Sequence, residues 1–352
     1  MDLLAVNPGA FAADPVFLFL VGLMVLLLIL VLLFAGLTFL LRLKNERETR
    51  TWTAATGTWE PLLLEALTEP EKLEALWAEV TDSHQLSFLE FVRQYAQRLG
   101  GSDRDILKQA ASPFLPKILP HLSHRRVGVR ARAVQTLGTL GLPKYTEEIK
   151  GAMDDQAPFV AALAARLAAH ECGAAIAEDL CKKLPRFKRF RSWYLVDLVV
   201  AMGPGAVPAV RDTLADKKSP FRVRSVAAHA LSVLGDFGSA DLGSRLAREE
   251  EDPELLASLM RLLSQVGTDE HAPAARAHMD SDEFFLRTAA TRALSELGSE
   301  EDLPLLIERL DDPSAWVRLA AARGVYQIGG KEALKAVAGP QDPAWGLFRQ
   351  VQ

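Results

Sequence analysis

The chain has 352 residues, of which 49% are hydrophobic, 24% charged and 7% aromatic, and its formal net charge is −5. This composition, with two cysteines, excludes a disordered protein, a collagen-like fibre and a disulfide scaffold. The acidic balance also disfavours general nucleic-acid binding, because a nucleic-acid binder must neutralise many phosphates.

A stretch near the N-terminus has the composition of a transmembrane helix. Residues 16–41 contain no charged side chain and consist mainly of Val, Leu, Ile and Phe. A helix of this length exceeds the roughly 30 Å hydrocarbon core of a bilayer. A cleaved signal peptide is disfavoured, because residues 1–15 contain no Lys or Arg and the apolar run is too long. The sequence therefore predicts a retained anchor, and we expect no second crossing, because no other run approaches the required length.

The charges beside this stretch predict its orientation. Four cations follow it and none precedes it: Arg42, Lys44, Arg47 and Arg50. Because positive residues stay on the cytoplasmic side, we expect the short segment 1–15 to face outward and the region after residue 41 to be cytosolic. Cys172 and Cys181 would then lie in a reducing compartment, where a disulfide is not expected.

Two further segments precede the periodic part of the chain. Residues 42–58 are predicted to form a basic juxtamembrane linker. In residues 59–121, apolar side chains keep helical spacing, as in Leu86, Leu89 and Val92, without following the later period. We interpret this range as an irregular helical cap, which would cover the apolar end of the helical array that follows.

Residues 122–338 repeat a short pattern. Successive repeats begin 31, 31, 32, 32, 31 and 31 residues apart, at Val129, Val160, Arg191, Val223, Leu255, Leu286 and Val317. Apolar residues recur at three- and four-residue steps, and a glycine at the end suits the position after a helix. The pattern predicts about seven helical hairpins, which bury their apolar faces by stacking. The expected fold is therefore all-α: an N-terminal transmembrane helix followed by an α-solenoid.

The pattern V-R-x-x-A-x-x-A-L-x-x-L-G, present at Val223–Gly235 and Leu286–Gly298, resembles the HEAT repeat in its short bacterial form, the phycobilisome-lyase HEAT-like repeat. The resemblance covers about residues 117–338. It implies an Asp before the first helix of each repeat and an Arg one residue after its first aliphatic position, which together form a ladder between neighbouring repeats. This Arg is present in four repeats and replaced in three: Arg130, Arg224, Arg287 and Arg318 match, whereas Ala161, Ser192 and Leu256 do not. An interrupted ladder is expected.

The charges of the loops that enter the repeats are mostly cationic in the first half of the array and anionic in the second. The densest basic segment, Cys181–Trp193, also contains aromatic residues. The candidate partner-binding residues are Lys182, Lys183, Arg186, Lys188, Arg189, Arg191, Trp193, Lys217, Lys218 and Arg222. They could dock an acidic protein surface, hold anionic lipid headgroups, or form only a solvated face.

The tail after residue 338 differs in character. Pro340 and Pro343 end the helical pattern, and apolar residues follow at Trp345, Leu347 and Phe348. Two interpretations of 339–352 remain open. The apolar side chains could cover the last repeat, or they could form a short docking peptide for a partner.

Motifs for catalysis are missing from the sequence. It contains no H-E-x-x-H, G-x-S-x-G or Walker A motif, and Gly324–Lys331 lacks the spacing of a phosphate loop. His170, Cys172 and Cys181 match no usual zinc spacing. Deoxyhypusine hydroxylases of the HEAT-like class carry recurring His-Glu pairs, whereas this chain has only His170-Glu171. We therefore expect no catalytic residue, cofactor, metal or small-molecule substrate.

The favoured hypothesis is a non-enzymatic scaffold that binds and positions a protein partner at the cytosolic face of a bacterial inner membrane. Confinement to the membrane would raise its effective concentration near an integral membrane protein or enzyme. The resemblance to bacterial repeat proteins implies a glycosyltransferase complex of polysaccharide synthesis as one such partner. Two alternatives remain: a lyase or maturation factor acting on a protein or cofactor, and a self-assembling membrane protein, although the anchor lacks G-x-x-x-G.

Overall fold

A computed structural model describes residues 15–337, with side chains described for 18–39, 42, 52 and 55–337. The regular secondary structure of these residues is helical throughout. The chain divides into two compact units, Met1–Ala110 and Ala111–Gln352. This division falls inside the range predicted for the cap. The predicted tail residues Trp345, Leu347 and Phe348 lie outside the described part of the chain.

The first unit is dominated by one long helix, α1 (Pro15–Thr68), of 54 residues. It contains an apolar segment, Leu18–Phe39, of 22 residues, which is long and apolar enough to cross a membrane and of which none is buried. The helix continues without a break through the range predicted as a juxtamembrane linker.

Three shorter helices complete the first unit: α2 (Leu73–Ala78), α3 (Gln85–Ala96) and α4, which begins at Gly101 and ends at Ala111. Their core is aromatic. The ring of Trp59, near the end of α1, meets Phe88 of α3 edge to face at a centroid distance of 5.3 Å. Trp77 donates a hydrogen bond from Nε1 to the Ala110 carbonyl at 3.0 Å. The first contact holds the end of α1 against α3, and the second joins α2 to α4.

The second unit consists of helical pairs. The first helices are α5 (Val127–Leu140), α7 (Pro158–Cys172), α9 (Ser192–Val200), α11 (Phe221–Leu234), α13 (Pro253–Val266), α15 (Phe284–Leu297) and the first part of α17 (Ala315–Val337). The second helices are α6 (Thr146–Ala152), α8 (Ala177–Lys183), α10 (Val207–Ala215), α12 (Ala240–Glu249), α14 (Ala272–Arg276), α16 (Leu303–Glu308) and the part of α17 beyond a kink at Gly330. Successive first helices pack on each other. The predicted α-solenoid of helical hairpins is confirmed.

Small residues allow the first helices to approach closely. Ala164 and Ala168 of α7 are fully buried. At Gly324 in α17, an added Cβ would come within 3.0 Å of the Ser295 Cβ of α15. At the end of α11, Gly235 has a φ of 67°, and the next amide, that of Asp236, donates to the Leu231 carbonyl at 3.1 Å. This left-handed residue ends the helix.

A second segment also has the length and composition of a membrane span. It is Pro158–Phe187, with 30 residues, so the expectation that no other run is long enough is wrong by these two criteria. However, 44% of its apolar stretch is buried inside the protein. It is divided into α7 and α8 around Gly173, whose φ is 55°. Its alanine-rich first half packs on α5 and therefore belongs to the solenoid core.

Charged clamps join successive repeats. Three of them start from the Arg near the beginning of a first helix, as the resemblance implied: Arg130 with Asp155, Arg224 with Glu250, and Arg287 with Asp312. Arg318, in the last repeat, donates instead to the carbonyls of Asp312 and Pro313. In the third and fifth repeats, which lack this Arg, the second helix supplies another: Arg211 pairs with Asp236, and Arg276 with Asp302. The implied ladder is therefore present in the first, fourth and sixth repeats, and an arginine of the second helix replaces it in the third and fifth repeats.

Candidate partner-binding surfaces

The basic segment Cys181–Trp193 runs from the end of α8, through a 3-10 turn, to the start of α9. Its three aromatic residues have different environments. Phe187 is buried in the core, Phe190 is half-buried, and Trp193 is 64% exposed. Only Trp193 is therefore available in full to a partner.

Several of the predicted partner-binding cations pair with carboxylates of the chain itself. Lys183 and Arg186 both pair with Asp154 of the preceding loop, the latter at 3.5 Å between Nε and Oδ1. On the exposed surface, Lys182 pairs with Glu178. These contacts make the first part of the basic segment a link to the preceding loop.

The predicted cations of the following loop differ in role. Lys217 pairs with Glu249 at 2.8 Å. Arg222 is half-buried and donates to the main-chain carbonyls of Lys188 and Phe190. Because these bonds hold the preceding loop in place, the structure gives Arg222 a positioning role within the solenoid.

The remaining predicted cations are Lys188, Arg189, Arg191 and Lys218. All four are exposed. Within residues 15–337, no ion pair to a carboxylate is seen for any of them, in contrast to Lys183 and Lys217. The positive charge open to a partner is therefore smaller than the sequence implied and is concentrated just before α9.

A groove of about 460 Å³ lies beside these cations, between α7 and α9. We call it the proximal groove. Its walls carry Phe159, Arg166, Arg189, Arg191 and Trp193. Phe159 and Trp193 are each 64% exposed, although both are large and apolar. The groove thus combines exposed aromatic rings with unpaired positive charge, the composition of a protein-binding hot spot.

A second groove, also of about 460 Å³, lies on α13, α15 and α17 and was not predicted from the sequence. We call it the distal groove. Its lining includes Arg261, Phe284, Phe285, Arg292 and Trp316. The sequence does contain a signal for such a groove. Several first helices carry a large apolar residue in the first turn, at a position where a residue facing solvent is normally polar.

The residues considered as metal ligands are not brought together. Among the described residues, no group of three or more His, Cys, Asp or Glu side chains is placed to hold a metal ion. Both cysteines are free. Cys181 is buried, and the Sγ of Cys172 lies 3.5 Å from the Oγ1 of Thr146.

Comparison with known proteins agrees with this architecture. A family model of HEAT repeats matches residues 239–326, which include α13 and α15. No curated protein sequence matches the chain. Thus the chain has a HEAT-like α-solenoid, a fold that is typical of non-catalytic scaffolds for protein interaction.

Solved structures to which the chain is similar include two of Kap121p. A charge-substituted mutant of Kap121p is 15% identical with a TM-score of 0.47, and the match covers 85% of this chain and 37% of that one. Kap121p itself is 14% identical with a TM-score of 0.45, covering 78% and 35%. The chain thus spans about a third of the length of these proteins.

Proposed function

We propose that this protein is a membrane-anchored scaffold that binds a protein partner through its proximal groove. The observation that carries the proposal is the pairing of two largely exposed aromatic rings, Phe159 and Trp193, with the unpaired cations Arg189 and Arg191. When a partner covers these exposed rings, the burial of apolar area stabilises the complex by about 25 cal/mol per Å². Aromatic and Arg side chains dominate binding energy at interfaces.

The proposed partner has an acidic surface with a projecting apolar side chain. Charge complementarity with Lys188, Arg189 and Arg191 would speed association and exclude cationic surfaces. The apolar segment Leu18–Phe39 supports placement in a membrane, with residues 1–15 outside and the solenoid in the cytosol. We therefore propose an integral membrane protein as the partner. A bacterial inner-membrane glycosyltransferase complex is the partner that the family resemblance implies.

Charge reversal at the proximal groove tests this proposal. The variant Lys188→Glu, Arg189→Glu, Arg191→Glu should lose a partner that co-purifies with the tagged wild-type chain from native membranes. A matched control reverses three exposed cations elsewhere, with the same change in net charge: Arg245→Glu, Arg248→Glu and Lys331→Glu. Retention of the partner by both variants would contradict a role for the groove.

A second variant separates apolar docking from charge alone. Trp193→Ala removes the exposed ring and keeps every cation, so it should weaken co-purification strongly if the ring fills a pocket on the partner. A control, Phe237→Ala, removes another exposed ring, which lies outside both grooves. If both variants recovered as much partner as the wild type, the ring of Trp193 would not contact the partner. An absorbance spectrum and metal analysis of the purified chain test the lyase alternative, which requires a pigment or metal to be carried.

A further inference from the structure

The distal groove brings together two arginines of neighbouring first helices. Arg261 lies on α13 and Arg292 on α15. The pKa of Arg261 is lowered from its ordinary value, first by desolvation and second by the positive charge of Arg292. Within the described residues, neither guanidinium is seen in an ion pair, in contrast to Arg276 and Arg287 nearby. The groove therefore holds concentrated positive charge that the fold itself does not neutralise.

These arginines occupy equivalent positions in successive repeats. Arg261, Arg292 and Arg323 each lie eight residues after the first residues of their helices, which are Pro253, Phe284 and Ala315. Arg166 has the same position in α7, which begins at Pro158, and it lines the proximal groove. Neighbouring helices pack about 8–10 Å apart, so the repeat spacing places the arginines of the last three repeats close to one another.

Three acidic residues of this half of the solenoid pair with arginines outside the distal groove. Asp302 is held by Arg276, and Asp312 by Arg287. Asp280 pairs with Arg309 at 2.7 Å. The anionic loops that the sequence shows in the distal half are thus partly committed to contacts between repeats. The arginines of the groove remain for an external anion.

Aromatic rings flank the two arginines. Phe284 is 49% exposed and Trp316 is 60% exposed, and both contribute to the lining of the groove. Lone inorganic anions gain nothing from such rings, whereas a peptide that alternates acidic and apolar side chains uses both features. Guanidinium groups bind carboxylates in bidentate fashion, and aromatic rings supply apolar contact area.

We propose that the distal groove binds an acidic protein segment. Two carboxylates of the segment pair with Arg261 and Arg292, and an apolar side chain between them packs on Phe284 and Trp316. This site is separate from the proximal groove and does not require the membrane anchor. It gives the scaffold a second, independent point of attachment, so that one chain can hold two partners or two parts of one partner.

Fluorescence anisotropy with the full-length chain in detergent tests the proposal. The probe is a fluorescein-labelled peptide that repeats Glu-Leu-Glu-Phe, and its neutral counterpart repeats Gln-Leu-Gln-Phe. The parent protein carries Arg189→Gln and Arg191→Gln, so that the proximal groove contributes little to binding. We expect the acidic peptide to bind this parent at least about tenfold more tightly than the neutral one, a difference of about 1.4 kcal/mol.

Three further variants of the parent decide the site. The variant Arg261→Gln with Arg292→Gln should bind the acidic peptide at least about tenfold more weakly. The variant Trp316→Ala should bind both peptides more weakly. The matched control, Arg245→Gln with Arg248→Gln, removes the same charge from exposed positions of α12 and should leave the dissociation constant unchanged. Thermal unfolding followed by circular dichroism checks that each variant is folded.

The opposite results would overturn the proposal. Equal weakening by the control variant would show that only net charge matters. Failure of the acidic peptide to bind the parent would remove the site as a peptide-binding groove. Binding of phosphatidylserine vesicles that is lost in Arg261→Gln with Arg292→Gln, without any peptide binding, would identify a lipid surface instead. These measurements do not test the proximal groove, because the parent protein already lacks Arg189 and Arg191. Failure of the distal-groove proposal can therefore be distinguished from failure of the proposed function.

Discussion

The carboxylate of Asp302 receives two hydrogen bonds from Arg276 of the preceding repeat, at 2.6 Å from Nε and 3.0 Å from Nη2. Asp302 is only 2% exposed and also accepts from the Ser299 amide at 3.0 Å. The fifth repeat has Leu256 where four of the seven repeats carry the ladder arginine. Arg276 of the second helix therefore joins this repeat to the next.

We predict that breaking a clamp destabilises the solenoid. Arg287→Ala leaves the buried carboxylate of Asp312 without its guanidinium partner. The expected loss is about 2–4 kcal/mol, between the cost of an unsatisfied polar group and that of a broken buried ion pair. Urea unfolding of the full chain in detergent measures it. The control is Lys335→Ala, which breaks an exposed pair and should not move the midpoint. Equal midpoints for both variants would show that the clamp adds no stability.

We predict that acid weakens the clamps. The hydrogen bonds from Arg276 hold the pKa of Asp302 below its usual 3.8, and those from Arg130 do the same for the pKa of Asp155. A depressed pKa in the folded state adds stability above the pKa of the unfolded state, and this contribution is lost as the pH falls through the folded value. The melting temperature should thus be steady above about pH 5 and fall below it.

An uncharged version of one clamp tests this pH dependence. In the variant Arg276→Gln with Asp302→Asn, the titrating carboxylate is absent. Its melting temperature should fall less between about pH 5 and pH 3 than that of the wild type. Parallel curves for the two proteins would mean that Asp302 has the same pKa in the folded and unfolded states.

We predict that the close approach of α15 and α17 tolerates no added methyl group. In Gly324→Ala, the new Cβ would collide with the side chain of Ser295. Overpacking of this kind costs about 1–3 kcal/mol. Ser295→Ala removes the nearest atom and should restore part of the stability. Gly128→Ala is the control, because no atom lies within 4 Å of its added Cβ. If Gly324→Ala and the control had the same melting temperature, this packing would be contradicted.

We predict that the apolar segment Leu18–Phe39 holds the chain in the membrane. The full-length chain should resist extraction by alkaline carbonate, because transfer of this segment to water exposes a large apolar area. A chain that begins after residue 41 should appear in the soluble fraction. If the shortened chain remained in the carbonate-resistant fraction, Pro158–Phe187 or another surface would have to bind the membrane.

Periodicity allowed the architecture of the second unit to be predicted. The seven predicted repeats coincide with the seven first helices, because the apolar spacing and the closing glycine are local signals. The arginines at positions 130, 224 and 287 were identified from the resemblance to the HEAT-like repeat, and the partner of each lies in the following repeat.

The candidate sites were harder to predict, because pairing depends on neighbours that are distant in sequence. Arg222 was placed among the partner-binding residues, yet it donates to the carbonyls of Lys188 and Phe190. Arg261 and Arg292 form one groove although 30 residues separate them. They share a position eight residues after the start of their helices, but this local pattern does not show whether a carboxylate lies within reach.

The membrane prediction shows the same limit. Composition alone makes both Leu18–Phe39 and Pro158–Phe187 candidates for a span. Their burial separates them, since the first is fully exposed and the second lies partly in the solenoid core. The sequence contains a hint of this difference, because Leu dominates the first segment and Ala the second.

Photo-cross-linking in native membranes tests the central proposal most directly. A photoreactive amino acid replaces Trp193 in the proximal groove or, as the control, Arg245 on α12, and mass spectrometry identifies the products. We expect the Trp193 position to yield a specific adduct with an integral membrane protein and the Arg245 position to yield none. Adducts with lipid alone, or the same products from both positions, would contradict a protein-binding scaffold at the membrane.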